Sequence, residues 1–134
     1  MQVIQSALSL NVPDPDASAQ FVRRHLGFQL EMAFDGVVSL KRADVGFNLI
    51  YLRTGLSTFK PEGHAGSAGP GLLVVFVVDD IDHQYARLQH EGAPIVTPIE
   101  TEAWGERYFQ TQDPNGVLYQ LVQWMTENEP ATPI

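Results

Sequence analysis

The chain has 134 residues, with 8 Lys and Arg against 16 Asp and Glu, and a formal net charge of -8 at pH 7. That length suits one domain, and the acid excess leaves no basic patch for a phosphate backbone, so no nucleic-acid partner is expected and a cationic ligand is the easier fit. Cysteine is absent, which removes disulfides, thiolate zinc sites and cysteine nucleophiles.

The opening residues lack a basic leader and alternate as a strand, and no apolar run is long enough to span a bilayer. A cytoplasmic protein with no membrane partner is expected. Val3 to Val12 reads as the first strand. Asp14-Pro15 then supplies an N-cap and a proline suited to the first helical position, and the helix runs to His25-Leu26-Gly27, where glycine can take the left-handed C-cap conformation. Gln29 to Phe34, Val37 to Lys41 and Phe47 to Leu52 read as three strands, with turns at Asp35-Gly36 and around Asp44-Val45-Gly46.

Residues 55–71, rich in glycine and proline, read as a connecting loop. Leu72 to Val78 is a strand, Asp79-Asp80 caps a helix ending at His90-Glu91-Gly92, and Pro94 to Pro98, Arg107 to Thr111 and Val117 to Trp124 supply further strands. Val12, Asp14, His25 and Gly27 correspond to Val77, Asp79, His90 and Gly92 at a common offset, so the order β-α-β-β-β is written twice. The last strands repeat as Val45-Gly-Phe-Asn48-Leu49 and Val117-Leu-Tyr-Gln120-Leu121. Alternation places the amides Asn48 and Gln120 at equivalent positions on one face of equivalent sheets. The expected organisation is a single domain over 1–125, made of module 1–54, linker 55–71 and module 72–125, followed by a flexible tail, 126–134.

Other chemistry finds little support. The four histidines do not gather by spacing, and Asp79, Asp80 and Asp82 sit at a helix start, where capping accounts for them. No Gly-x-Ser-x-Gly elbow surrounds Ser67, and no phosphate-binding loop occurs. The segment around Trp104 carries more. In a strand it puts Trp104, Glu106, Tyr108 and Gln110 on one side and Arg107, Phe109 and Thr111 on the other. Rings on the first side would stack a flat ligand; the competing reading is that Phe109, Tyr108 and even Trp104 are core.

The duplicated modules, with Val12-Pro-Asp14 and Phe21-Val-Arg-Arg-His-Leu-Gly-Phe28 in the first and Trp104-Gly-Glu-Arg-Tyr-Phe-Gln-Thr-Gln-Asp-Pro-Asn-Gly116 in the second, resemble the vicinal oxygen chelate superfamily. It includes glyoxalase I, extradiol dioxygenases and the bleomycin-resistance proteins, the last being the branch closest in look. The resemblance implies an α+β fold in which two tandem β-α-β-β-β modules form a half-open mixed β-sheet cavity. It also implies a homodimer, which the edges and apolar faces of half-open sheets favour as well.

In the metal-dependent members four ligands point into the cavity, and the resemblance puts these positions at Ala7, Asn48, Leu73 or Val74, and Gln120. None carries a carboxylate or imidazole, and Ser6, Leu8, Leu72 and Val75 beside them are no better, so no metal and no cofactor are expected. Gln120 then reads as a hydrogen-bonding remnant of a metal position, or else as a polar strand residue facing water. The tryptophan of the corresponding segment lines the drug groove in bleomycin-resistance proteins, and Trp104 matches it.

The resulting expectation is a metal-free protein that sequesters an aromatic or cationic small molecule. Trp104 would stack, Asn48 and Gln120 would orient by hydrogen bonds, and Tyr108 and Glu106 would share that side, Glu106 with its charge. No catalytic residue is assigned. The rival is a glyoxalase-like lyase, isomerase or dioxygenase with displaced ligands or a metal-independent mechanism, and a third reading is a structural or regulatory subunit without a ligand.

Overall fold

The structure, a computed structural model, describes residues 1–125; the expected flexible tail lies outside the described residues. Eight strands form two four-stranded mixed sheets: β1 (Ala7–Val12), β2 (Gln29–Phe34), β3 (Val37–Lys41) and β4 (Asn48–Arg53) in the order β1-β4-β3-β2, and β5 (Leu73–Val77), β6 (Ile95–Thr101), β7 (Glu106–Gln112) and β8 (Leu118–Trp124) in the order β5-β8-β7-β6. In each sheet the first and last strands of a module pair in parallel and the rest pair antiparallel. Helix α1 (Pro15–Leu26) packs on β3 and β4, and α2 (Ile81–His90) packs on β7 and β8. The two-module β-α-β-β-β fold expected from the repeat is therefore present.

The described residues form two compact units: Met1–Leu72 with Asp113–Val117, and Leu73–Gln112 with 118–125. In the first, α1 starts where Asp14 accepts from the Ala17 amide at 3.3 Å and ends where Gly27 takes φ 69. Its face of Phe21, Val22 and Leu26 meets Val38, Leu40, Leu49 and Tyr51, all buried, and each fully buried aliphatic or aromatic side chain contributes about 1.5–3 kcal/mol. The stretch 55–71 folds back onto this unit: Asn11 donates its side-chain amide to the carbonyls of His64 and Gly66, and the Ala68 amide donates to the carbonyl of Asn11.

Two local expectations are corrected. Strand β1 begins at Ala7, not Val3, because β4 offers partners only as far as Asn48, opposite Ala7; Val3 and Ile4 are exposed. Asp80 occupies the N-cap of α2, but neither it nor Asp79 caps with its side chain. The Ile81 amide donates instead to Oε1 of Gln123 at 3.0 Å, while Nε2 of Gln123 donates to the Asp79 carbonyl. Asp80 accepts from Gln84 one turn along.

The Asp113-Pro-Asn-Gly116 turn closes on its own carboxylate. Oδ1 of Asp113 accepts from the amides of Asn115 and Val117, the side-chain-to-backbone turn that aspartate favours. Asn115 in turn donates to the Asp14 carbonyl and the Ser18 hydroxyl, fastening the turn to the start of α1.

Candidate functional site

In the second unit, β7 alternates as expected. Phe109 and Thr111 are fully buried, whereas Glu106, Tyr108 and Gln110 point to the other face and are half-buried. Register carries that face across the sheet, with Gln110 opposite Gln120, Tyr108 opposite Val122, and Val75 on β5 beside Gln120. Trp104, in the turn before β7, is 59% exposed and is not core.

A directed chain of hydrogen bonds crosses the face. Thr97 donates to Oε1 of Gln110 at 2.8 Å, Nε2 of Gln110 to Oε1 of Gln120 at 2.9 Å, and Nε2 of Gln120 to Oε1 of Glu106 at 3.2 Å. The other carboxylate oxygen of Glu106 accepts from the Trp104 indole N–H at 3.3 Å. Each donor points toward Glu106, whose two carboxylate oxygens accept from Gln120 and from Trp104. Gln120, 8% exposed, does not face water; its amide joins β7 to itself through both ends.

Beside this chain the Tyr108 hydroxyl lies 2.8 Å from Oε1 of Glu100 and 2.8 Å from Oε1 of Glu102. A phenol has one proton, which serves one carboxylate at a time. The hydrogen bonds to Glu100 and then Glu102 hold the phenol well above its ordinary range. Across the sheet the face therefore changes character. It runs from Leu73, Val75 and Val77 on β5, all exposed, through Gln120 on β8, to Glu106 and Tyr108 on β7 and Glu100 on β6.

In the first unit Asn48 stands on the corresponding face. Its Nδ2 donates to Oε1 of Glu31 at 3.4 Å, and the Ser39 hydroxyl donates to the same oxygen at 3.3 Å. Glu31 sits in a β-bulge between Leu30 and Met32, which turns it toward the amide. Each of the two amides is thus bonded to a carboxylate from another strand of its own sheet, β7 next to β8 for Gln120 and β2, one strand beyond β3, for Asn48. Sequence reasoning missed Glu31, because simple alternation does not reveal a bulge. Glu100 and Glu102 were legible in principle, since spacing by two gives them one face and hairpin register would have set Glu100 opposite Tyr108.

Register also corrects the position inferred on β5. Asn48 lies beside Ala7 and Gln120 beside Val75, so the equivalent of Ala7 is Val75 rather than Leu73 or Val74; Val74 is buried on the helix side. The four positions then carry two aliphatic side chains and two amides already engaged with carboxylates. Such a donor set does not fit a divalent cation, which takes carboxylate oxygens or imidazole nitrogens. Among the described residues no group of three or more His, Asp or Glu is placed to hold a metal. No helix among them is long and apolar enough to cross a membrane.

Two four-stranded mixed sheets, each with a helix packed on one face, define the class of two-module β-α-β-β-β proteins. The chain matches the model of the Glyoxalase/Bleomycin resistance protein/Dioxygenase superfamily over residues 4–121 and belongs to that superfamily. Among solved structures, a glyoxalase/bleomycin resistance protein/dioxygenase from Nocardioides superposes with TM-score 0.80 at 22% identity, covering 99% of this chain and 91% of that one. TioX from Micromonospora sp. ML1 gives 0.70 at 25% identity, covering 91% and 99%. A lactoylglutathione lyase from Agrobacterium tumefaciens gives 0.73 at 21%, covering 92% and 94%. Uncharacterized proteins of Mycobacterium bovis and Mycobacterium tuberculosis are each 34% identical over 59 residues, a stretch covering 44% of this chain and 39% and 35% of theirs.

Proposed function

We propose that the protein binds a small organic molecule with an apolar or aromatic body and a cationic end, and sequesters it without metal and without chemical change, in the manner of the bleomycin-resistance branch. The observation that carries this reading is the gradient across the second sheet, from Leu73, Val75 and Val77 to Glu106, Glu100 and Glu102, with the exposed Trp104 indole held beside the anionic end. An aliphatic wall favours an apolar body, a carboxylate cluster favours positive charge, and an indole face favours both a flat ring and a cation. Gln120 and Gln110 orient the ligand through the hydrogen-bonding capacity they have left after bonding each other. In the first unit Asn48 does the same beside Glu31.

Titration of Trp104 fluorescence with a planar organic cation tests the reading, with a neutral and an anionic planar compound of similar size as controls. Trp124→Phe removes the second, also exposed, indole from the signal. Saturable quenching by the cation, weaker for the neutral compound and absent for the anion, is expected. The bound compound should be recovered with its mass unchanged. Failure of every planar cation in a broad panel to quench would overturn the reading, and recovery of a converted product would transfer the protein to the lyase, isomerase or dioxygenase alternative.

A further inference from the structure

Both tryptophans of the chain lie at one end of the second sheet. Trp124 ends β8 directly opposite Glu106, the first residue of β7. Its neighbour Gln123 turns to the helix side, where it meets the first amide of α2, so Trp124 stands on the other face with Glu106, Tyr108 and Gln120. Exposed indoles forgo hydrophobic burial, and a cluster of them marks a binding surface.

Trp104 comes to the same carboxylate from the turn before β7, donating its indole N–H to Oε2 of Glu106. The Met125 amide donates to the Gly105 carbonyl at 2.8 Å, which ties this turn to the strand that carries Trp124. Both rings are exposed, and no ring contact joins them. Two exposed indoles therefore flank one carboxylate, one along β7 and one across from β8, without stacking on each other.

Both oxygens of that carboxylate already accept, Oε1 from Gln120 and Oε2 from Trp104. A primary ammonium brings three N–H donors that lose water on binding and need acceptors. Here it would have to share them. A quaternary ammonium has no N–H to satisfy, and its charge, spread over methyl groups, suits indole faces beside an opposite charge. We infer that the cationic end of the ligand is a quaternary ammonium, held at Glu106 between Trp104 and Trp124, and that Trp124 selects it over a primary ammonium. Val77 on β5 stands beside Val122, which shares the face with Trp124, so the apolar body extends from the second indole onto β5. The inference rests on the proposed binding at this sheet and adds the chemistry of the cation.

Calorimetry with three related compounds tests this: benzyltrimethylammonium, the primary benzylammonium, and neopentylbenzene, the neutral isostere of the first. At neutral pH the wild type should bind the quaternary ion about tenfold more tightly than either of the others. Trp124→Leu should abolish that preference by weakening the quaternary ion alone, and Trp124→Phe should keep most of it, because a smaller ring still offers a face. Trp124→Gln, a polar replacement at an exposed position, takes the place of Trp124→Leu if the latter alters the far-UV circular dichroism. Equal or tighter binding of benzylammonium by the wild type overturns the inference, and so does a quaternary preference that survives the loss of the Trp124 ring. Either result leaves the proposed binding of a cationic molecule standing. If neither cation binds, the inference falls, and the wider panel of planar cations decides the proposed function separately.

Discussion

Ser18 on α1 donates its hydroxyl to Oδ2 of Asp113 at 2.6 Å, with both side chains buried and 95 residues apart in sequence. A buried carboxylate is tolerated where donors surround it, and Asp113 also accepts from the amides of Asn115 and Val117. Replacing it by Ala leaves those donors without acceptors, at about 1–3 kcal/mol for the first buried donor left unpaired. Asp113→Ala should therefore lower the unfolding free energy by about 3 kcal/mol, and Ser18→Ala by roughly half of that. Urea denaturation measures both. Equal losses, or a loss below about 1 kcal/mol for Asp113→Ala, would mean the turn is held by packing alone.

What was readable in the chain and what was not follows from the range of the interactions. The turn at Asp113-Pro-Asn-Gly116 and the caps at Asp14 and Gly27 are local, and so they were legible from residue type and spacing. That Asp113 reaches Ser18 depends on long-range packing that no local period encodes. Alternation correctly separated Glu106 and Tyr108 from the buried Phe109. It could not show that Glu31 stands beside Asn48, since a bulge resets the faces, nor that β1 starts only where β4 offers a partner.

Helix α2 makes the same point with a measurable consequence. Its first free amide is met by Gln123 rather than by either aspartate. Gln123→Leu should cost about 1 kcal/mol, the worth of a typical N-cap. Asp80→Ala removes an exposed bond to Gln84 and should cost no more than about 0.5 kcal/mol. Thermal or urea unfolding of the two variants, side by side, decides the order; the reverse order would return the cap to the aspartate.

Tyr108 gives a pH dependence with a definite sign. Its phenol is held above the ordinary value of 10.0 by Glu100 and Glu102. Above that value the unfolded chain releases a proton that the folded chain retains, so this contribution is complete below the ordinary phenol value and is lost progressively as pH rises from there through the raised value of the folded chain. The stability of the wild type relative to Tyr108→Phe should be constant from neutral pH to about pH 9 and should fall above about pH 10. Denaturation midpoints across that range check it, and a difference that stays flat to the alkaline limit would mean the phenol titrates normally.

The donor set at Ala7, Asn48, Val75 and Gln120 predicts that the protein, dialysed against zinc, nickel or iron(II) and then against buffer without chelator, retains no stoichiometric metal. A dication there would lack the anionic ligands that repay its lost hydration. Elemental analysis settles the matter. One tightly held ion per chain, lost in Gln120→Ala, would refute the metal-free reading and favour the enzyme alternative.

Glu106 links the charge of the face to the orientation of its exposed ring, and the two roles are separable. One oxygen accepts from Gln120 and the other from the Trp104 indole. Glu106→Gln keeps an acceptor for one of these donors but removes the charge, whereas Glu106→Leu removes both. If the carboxylate chiefly supplies charge, the two variants should bind a planar cation equally weakly, and a neutral planar compound should be unaffected. If it chiefly fixes the ring, Glu106→Gln should retain most of the affinity for both compounds and Glu106→Leu should lose it for both. Because the Glu106 carboxylate lies directly against the exposed Trp104 indole, the first outcome is expected, with a loss of about 1–2 kcal/mol for the cation. Trp104→Ala should weaken the cation by a similar amount and Trp104→Phe by less, because the smaller ring still stacks. Gln120→Leu should cost about 1 kcal/mol in binding, since it breaks the chain at its centre. Fluorescence is lost with the indole, so these titrations are read by calorimetry. An unchanged affinity in both Glu106 variants would remove this face from the binding site.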